Sequence, residues 1–215
     1  MMKLSVRTMA KISSSVLWMG LIVGLFMMMM ETKPASAFTF GDVASIGAAY
    51  TTHLFFHEVG HQVVADDAGA DSSHMSFFTQ KNGKFYPGLS TYENIPEESI
   101  LPYAVGGERM AGYTFEYALQ SYRNRSTTFN KALMFFSCAD FVVYTLLANY
   151  VSTGDTAYDP NLIREETGCS KELFLSLVLG KSLLNTYRIF NQNAHFVPMI
   201  AVDKKSAALL FRFTF

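Results

Sequence analysis

The sequence predicts a mainly α-helical domain with small β-hairpins, an α+β fold. Two apolar stretches, residues 43–65 and 132–151, have the length of helices and almost no charged side chains. An Asn-Gly pair at 82–83 separates two short runs of β-prone residues, which is a strong hairpin signal. The tail alternates apolar and polar side chains over residues 210–215, as expected of a strand.

The rest of the chain is divided by turn residues. The hairpin strands are expected around residues 75–79 and 84–86, before a loop that contains Pro87 and Gly88. Asp159-Pro160 predicts a turn inside a longer loop. The other expected elements are, in chain order, a helix over 98–122 interrupted at Gly106-Gly107, a loop over 154–168, a helix over 171–190, and two strands over 195–202 and 207–215.

The N-terminus has the layout of a secretory signal peptide. Basic residues precede an apolar run, Val16–Met30, and the small-residue triplet Ala35-Ser36-Ala37 follows it. This pattern predicts a signal peptide over residues 1–37 and a mature chain that starts at Phe38. An uncleaved membrane anchor is the alternative. In both cases residues 38–215 form a single exported domain, in the periplasm or elsewhere in the cell envelope.

Composition limits the classes of partner. The formal net charge is −1 and no basic cluster is present, so nothing indicates nucleic-acid binding. Half of the residues are hydrophobic and only 16% are charged, which favours a heavily buried or membrane-associated protein. Cys138 and Cys169 either form one disulfide in an oxidising compartment or remain two buried thiols.

The most specific motif is His-Glu-x-x-His at residues 57–61. On a helix, His57 and His61 lie one turn apart on one face, so both imidazoles can bind one Zn²⁺ at about 2.0–2.1 Å. Glu58 lies beside the first ligand and is placed to act as the general base on a water molecule. The sequence therefore predicts a zinc site with hydrolytic chemistry.

A catalytic zinc ion usually takes three protein ligands, and the third must come from another segment. Glu108 is the first candidate, because it follows two glycines that permit a close approach of helices. Asp140 is the second, because a lone carboxylate among apolar residues needs a partner. His53 lies one turn before His57 and is expected near the site rather than on the ion.

The motif resembles two families of zinc metallopeptidase. His57-Glu58-Val59-Gly60-His61 is similar to the His-Glu-x-Gly-His helix of the site-2 protease family, and the similarity extends to the hairpin that ends at Tyr86. That family takes its third ligand from an aspartate beside glycine in a later apolar helix. Asp140 lies in such a segment but between Ala139 and Phe141, so the neighbours differ.

The second resemblance is to the gluzincins, whose third ligand is the glutamate of an E-x-x-A-like helix. Glu108-Arg109-Met110-Ala111 matches this short pattern, although Gly112 stands where that family often has aspartate. Both resemblances imply a zincin-like helical core around the motif helix, and they agree on His57, Glu58 and His61.

The function expected is therefore that of an exported zinc-dependent metallopeptidase, a hydrolase with a peptide or protein substrate. The alternative is a non-enzymatic exported, membrane-associated helical protein with a structural or degenerate zinc site. Side chains that could donate a hydrogen bond to the reaction's oxyanion are His74, His195, Tyr103, Tyr113 and Tyr117.

Overall fold

The computed structural model describes residues 39–81 and 83–213, so the predicted signal peptide lies outside the described residues. The helices are α1 (Phe40–Asp67), α2 (Glu97–Asn124), α3 (Thr128–Tyr150), α4 (Asp159–Thr167) and α5 (Lys171–Phe190). The strands are β1 (Ser72–Lys81), β2 (Lys84–Glu93), β3 (Phe196–Asp203) and β4 (Ser206–Phe213). The described chain is mainly helical with two small antiparallel sheets, which confirms the predicted α+β class.

Helices α1 and α2 cross with their backbones in contact. A Cβ atom added to Gly60 would overlap the carbonyl oxygen of Gly106, and one added to Gly106 would lie 2.5 Å from the carbonyl oxygen of Gly60. Only glycine at both positions allows this approach. The crossing brings the middle of α2 directly against the motif helix.

Helix α3 packs against α1, α2 and α5 in the core. Its start is capped by Thr127, whose hydroxyl accepts a hydrogen bond from the backbone N–H of Asn130 at 3.1 Å. Among the described residues α3 is long and apolar enough to cross a membrane, with a mean hydropathy of 1.6. However, 56% of its apolar window is buried in the protein, as in the core helix of a globular domain.

The two hairpins are antiparallel pairs. In the first, the register runs from Ser72 opposite Glu93 to Lys81 opposite Lys84. Gly83 has a φ of +74° in the turn, which glycine adopts readily. The expected loop at Pro87 and Gly88 is wrong, because both residues lie in β2. In the second hairpin, Phe196 lies opposite Phe213 and Asp203 opposite Ser206.

Two other local predictions are wrong. Helix α2 continues through the glycine pair, because the crossing with α1 compensates for the low helix propensity of glycine. The expected loop over 154–168 contains helix α4. Pro160 lies in the first turn of α4, and Gly168 ends it in the left-handed conformation at φ 67°. Cys138 and Cys169 are both free thiols.

Candidate metal centre

The two motif histidines share one face of α1 and lie inside the protein. Their exposed fractions are 6% for His57 and 2% for His61. Their Nε2 atoms are 3.3 Å apart, so both lone pairs can reach a common point. The spacing of four residues produces this geometry, because it returns the side chains to one face after about one turn.

The third possible ligand comes from α4. Oδ2 of Asp159, the first residue of that helix, lies 3.2 Å from Nε2 of His57 and 3.1 Å from Nε2 of His61. The three possible ligand atoms lie within 4.8 Å of one another, and all three residues are buried. Two imidazoles and one carboxylate are a ligand set that catalytic zinc sites use. We call His57, His61 and Asp159 the metal cluster.

A backbone contact orients His61. Its Nδ1 lies 2.8 Å from the carbonyl oxygen of Tyr103, which can only accept a hydrogen bond. Nδ1 therefore carries the proton, and Nε2 presents its lone pair to the metal cluster. Metal-binding histidines commonly have such a partner, which fixes the tautomer and the ring orientation.

Gly107 of α2 leaves space beside the two rings. A Cβ atom at this position would lie 2.5 Å from Nε2 of His57 and 2.5 Å from Nε2 of His61. Any side chain would therefore occupy the space that an ion between the rings requires. The glycine pair thus has two roles, since Gly106 permits the helix crossing and Gly107 keeps the metal cluster accessible.

The residues of the metal cluster shift one another's pKa. Burial alone would lower the pKa of His57, but the neighbouring Asp159 raises it to about 9. Burial also opposes ionisation of Asp159, yet His61 and His57 hold the pKa of this carboxyl well below its usual value. In the metal-free protein, proton-bearing imidazole and carboxylate stabilise each other, and a cation would replace that proton.

Glu58 lies next to the metal cluster with an exposed fraction of 5%. Burial raises the pKa of Glu58, and the two histidines only partly offset this effect. Gly88 of β2 lies against its carboxylate, because a Cβ atom at Gly88 would overlap Oε1 of Glu58. A carboxyl group with a raised pKa is suited to accept and return a proton near neutral pH.

A cavity of about 290 Å³ opens onto these groups. Its walls come from the metal cluster, from the middle of β2 and from the loop before α4. The lining residues that the chemistry uses are Glu58, His61, Asp159, Tyr103 and Tyr144. Burial raises the pKa of both tyrosines, so their hydroxyl groups remain protonated donors.

Helix α4 is held in place by side-chain hydrogen bonds of Asn161 and Arg164. Asn161 donates from Nδ2 to the carbonyl oxygens of Ser152 at 2.8 Å and Asp155 at 3.0 Å. Arg164 donates from Nη1 to Oδ1 of Asn149 at 3.0 Å and to Oδ1 of Asn161 at 3.1 Å. These contacts fix the start of α4, and with it the position of the Asp159 carboxylate.

Glu108, the leading third-ligand candidate from sequence, is not in the metal cluster. Its buried carboxylate forms an ion pair with Lys181 of α5. The physical reason is rotation along α2: Gly107 faces the histidines, and Glu108 lies about 100° further round the helix. A buried lysine requires a carboxylate partner, which Glu108 supplies.

Asp140 and His53 form a separate pair. Nε2 of His53 lies 3.2 Å from Oδ2 of Asp140, one helical turn before His57. Neither ring nitrogen of the buried His53 has a hydrogen bond of good geometry. Burial opposes ionisation of Asp140, but His53 holds the pKa of the carboxyl below its usual value. This pair lies near the metal cluster without belonging to it.

Of the five side chains predicted as possible oxyanion donors, one lines the cavity and four are exposed. Tyr103 lines the cavity, whereas Tyr113 and Tyr117 are exposed on α2, His74 is exposed on β1 and His195 is exposed just before β3. Sequence reasoning missed Asp159 and Tyr144. The available signal for Asp159 was an acidic residue before proline, which is typical of a helix start as well as of a turn.

No known protein family, no curated protein and no solved structure matches this chain. The function is therefore inferred from the chemistry of the site itself.

Proposed function

We propose that this protein is a zinc-dependent metallopeptidase in which the metal cluster holds the ion and Glu58 is the general base. The observation that carries the proposal is the convergence of two imidazoles and one carboxylate beside a buried glutamate and a cavity. With three protein ligands, a tetrahedral ion keeps one position open, as catalytic zinc sites do. A zinc ion at this place would supply Lewis acidity that polarises a carbonyl group and acidifies water.

The side chains of the protein supply the remaining steps. Glu58 accepts a proton from the attacking water on a carboxylate oxygen and passes it to the departing amine nitrogen. Tyr103 and Tyr144 line the same cavity and can donate hydrogen bonds to the oxygen that becomes negative. Gly88 leaves room for the Glu58 carboxylate, which a larger residue would displace.

The shape of the cleft supports a peptide substrate. Residues 88–92 of β2 line one wall, and among the described residues β2 pairs only with β1. The second edge of β2 therefore offers backbone groups to an extended chain. Such an edge can hold a peptide by main-chain hydrogen bonds while side-chain pockets select its sequence.

The alternative function, a structural zinc site, predicts a different arrangement. Structural sites usually have four protein ligands and no open position. Among the described residues the metal cluster has three, and it opens onto a cavity. This arrangement favours the catalytic proposal.

The test compares Glu58→Gln with the wild type in zinc content and in hydrolysis of an unstructured protein. Glu172→Gln, an exposed glutamate in the first turn of α5, is the matched control. We expect Glu58→Gln to keep zinc and lose about 10²–10⁴-fold in kcat, because it lacks the base. Full hydrolysis by a zinc-loaded Glu58→Gln would refute the assignment of the base. Absence of hydrolysis in the zinc-loaded wild type, across a diverse peptide library, would refute the peptidase proposal.

A further inference from the structure

A second cavity, of about 180 Å³, lies among α2, α5 and the second hairpin. It shares no lining residue with the cavity at the metal cluster. We call it the α2–β3 cavity, because one side of α2, from Glu108 to Glu116, and residues 197–201 of β3 form most of its lining. None of the steps proposed for Glu58 and the metal cluster uses this space, so its lining requires a separate explanation.

The wall that β3 supplies is apolar. Its five residues are Val197, Pro198, Met199, Ile200 and Ala201. None of these side chains carries a charge or an N–H or O–H group, and Met199 is 41% exposed, so part of the wall is open to solvent. Ligand sites commonly combine such an apolar lining with a small number of polar groups. The wall therefore suits a hydrocarbon chain.

Lys181 supplies a buried donor at the α2–β3 cavity. Its side chain is 10% exposed and forms an ion pair with Glu108. An ammonium group has three N–H donors, and among the described residues only the Glu108 carboxylate accepts a hydrogen bond from Nζ. Buried donors in folded proteins normally have acceptors. Lys181 therefore has N–H groups left for an acceptor that enters the cavity.

Two arginines from different elements also line the α2–β3 cavity. Arg109 belongs to α2 and Arg212 to β4, and both side chains are exposed. Arg212 lies directly opposite Val197 in the hairpin register, so these two side chains share a face of the hairpin. Neither guanidinium group has an ion pair or a hydrogen bond with any other residue that the structure describes. Two positive charges without partners thus border one small apolar cavity.

The acidic groups at the α2–β3 cavity are already paired. Glu116 accepts hydrogen bonds from both terminal nitrogens of Arg188, at 2.5 and 2.7 Å, and Glu108 has its lysine partner. The two arginines described above therefore remain as uncompensated positive charges. A carboxylate matches guanidinium in charge and in the geometry of its hydrogen bonds. The charge balance of the cavity thus favours an anionic ligand.

We propose that the α2–β3 cavity binds an aliphatic carboxylate. The carboxylate accepts hydrogen bonds from Arg109, Arg212 and the remaining N–H groups of Lys181, and the hydrocarbon chain lies against residues 197–201. Two carboxylate oxygens offer about four acceptor positions, which is enough for three cationic side chains. A free aliphatic acid and the C-terminus of a peptide that ends in an aliphatic residue share this chemistry. The proposal does not depend on the peptidase function.

The test measures the binding of octanoate to the full-length chain by titration calorimetry. Acetate lacks the hydrocarbon chain and octanamide lacks the charge, so they are the matched ligands. The test variant combines Arg109→Gln with Arg212→Gln. The control combines Arg125→Gln, just after α2, with Lys205→Gln, in the turn of the second hairpin, and so removes two exposed positive charges outside the cavity. Each titration is run with and without zinc, because a carboxylate can also bind a metal ion.

We expect octanoate to bind the wild type and the control equally, whether or not zinc is present. The arginine variant should bind it at least about tenfold more weakly, because hydrogen bonds to charged groups are lost. Acetate and octanamide should each bind at least about tenfold more weakly to the wild type. Equal octanoate affinity in the arginine variant and the control would overturn the proposal. Binding that requires zinc, or octanamide binding as tight as that of octanoate, would overturn it as well.

A second probe separates the two sources of the carboxylate. Acetyl-alanyl-leucine presents a peptide C-terminus with an aliphatic side chain, and its C-terminal amide is the matched control. If the carboxylate form binds more tightly than octanoate and depends on the same two arginines, the ligand is a peptide terminus. Tighter binding of octanoate identifies a free aliphatic acid. Absence of binding by both carboxylates would overturn the proposal.

Discussion

Two neighbouring positions of α2, Gly107 and Glu108, each lie at a buried cluster of a carboxylate and basic side chains. The two clusters differ in chemistry. At Gly107, the helix backbone faces His57 and His61, whose Nε2 atoms converge with the Asp159 carboxylate. At Glu108, a carboxylate meets Lys181. Both clusters are buried, and each borders a cavity, of about 290 Å³ and about 180 Å³ respectively.

The difference lies in the basic partner. Lysine has no lone pair for a cation until it loses a proton that it holds up to about pH 10. Imidazole gives up its proton at a lower pH and then binds metal. Burial of charge therefore does not distinguish a candidate metal site from an ion pair, whereas the chemistry of the basic partner, imidazole or ammonium, does.

The largest expected effect comes from adding one methyl group to α2 at Gly107, where it would meet the metal cluster. Gly107→Ala places a Cβ atom 2.5 Å from both Nε2 atoms, so the rings must move and zinc binding should be lost. Gly112→Ala, on the same helix, places its Cβ atom 3.7 Å from Nζ of Lys181, an ordinary contact. Zinc content and circular dichroism of both variants check this prediction. A fully loaded Gly107→Ala protein would show that the ion lies elsewhere.

The second prediction concerns stability at the Lys181 cluster. Glu108→Ala leaves a buried lysine unpaired and should lower the free energy of unfolding by about 3–5 kcal/mol. The double variant Glu108→Leu with Lys181→Met removes both charges and should recover most of that loss. Urea unfolding measures both values. If the single and double variants were equally destabilised, the ion pair would not explain the burial of Glu108.

The third prediction tests how α4 positions its ligand. Asn161→Ala removes two hydrogen bonds to the preceding loop and should weaken zinc binding about 10–100-fold without removing a ligand. Asn130→Ala is the control, because that side chain donates to the carbonyl oxygen of Arg125 away from the site. Competition with a zinc chelator gives both affinities. Equal affinities in the two variants would mean that α4 is fixed by other contacts.

The fourth prediction is a pH dependence of zinc affinity in the wild type. Asp159 raises the pKa of His57 to about 9 in the metal-free protein, so His57 must release a proton to bind zinc. Affinity should therefore rise about tenfold per pH unit from neutral pH and level off above about pH 9. In the metal-free protein the same shift stabilises the fold below pH 6.5, and this contribution is lost as pH rises through about 9. A flat affinity between pH 7 and 9 would contradict the assigned partnership.

How well the sequence predicts a helix depends on how far along the chain its stabilising contacts reach. Helices α1 and α5 were predicted because apolar length and local composition decide them. Helix α4 was not, because its nine residues include an Asp-Pro pair that also starts turns. Its side chains are held by Asn149 and the loop at 152–155, which are contacts that local sequence does not reveal.

The residues of the site also differ in whether local sequence predicts them. His57, Glu58 and His61 are predictable because one helical turn sets their geometry. Asp159 is 98 residues from His61, and a carboxylate at that distance looks like any other until the chain is folded. The partner of Glu108 is equally remote, since Lys181 lies 73 residues away. A sequence can therefore indicate two ligands of a candidate metal site and still leave the third undetermined.

The most direct test of the metal cluster is zinc affinity, measured by chelator competition, for two variants side by side. One is Asp159→Ala, and the other is the double variant Glu108→Leu with Lys181→Met. We expect Asp159→Ala to lose more than the 10–100-fold that changes outside the ligand set produce, because a ligand itself is removed. The double variant should bind zinc as the wild type does. Wild-type affinity in Asp159→Ala, together with loss of zinc in the double variant, would show that the third ligand is Glu108 and not Asp159.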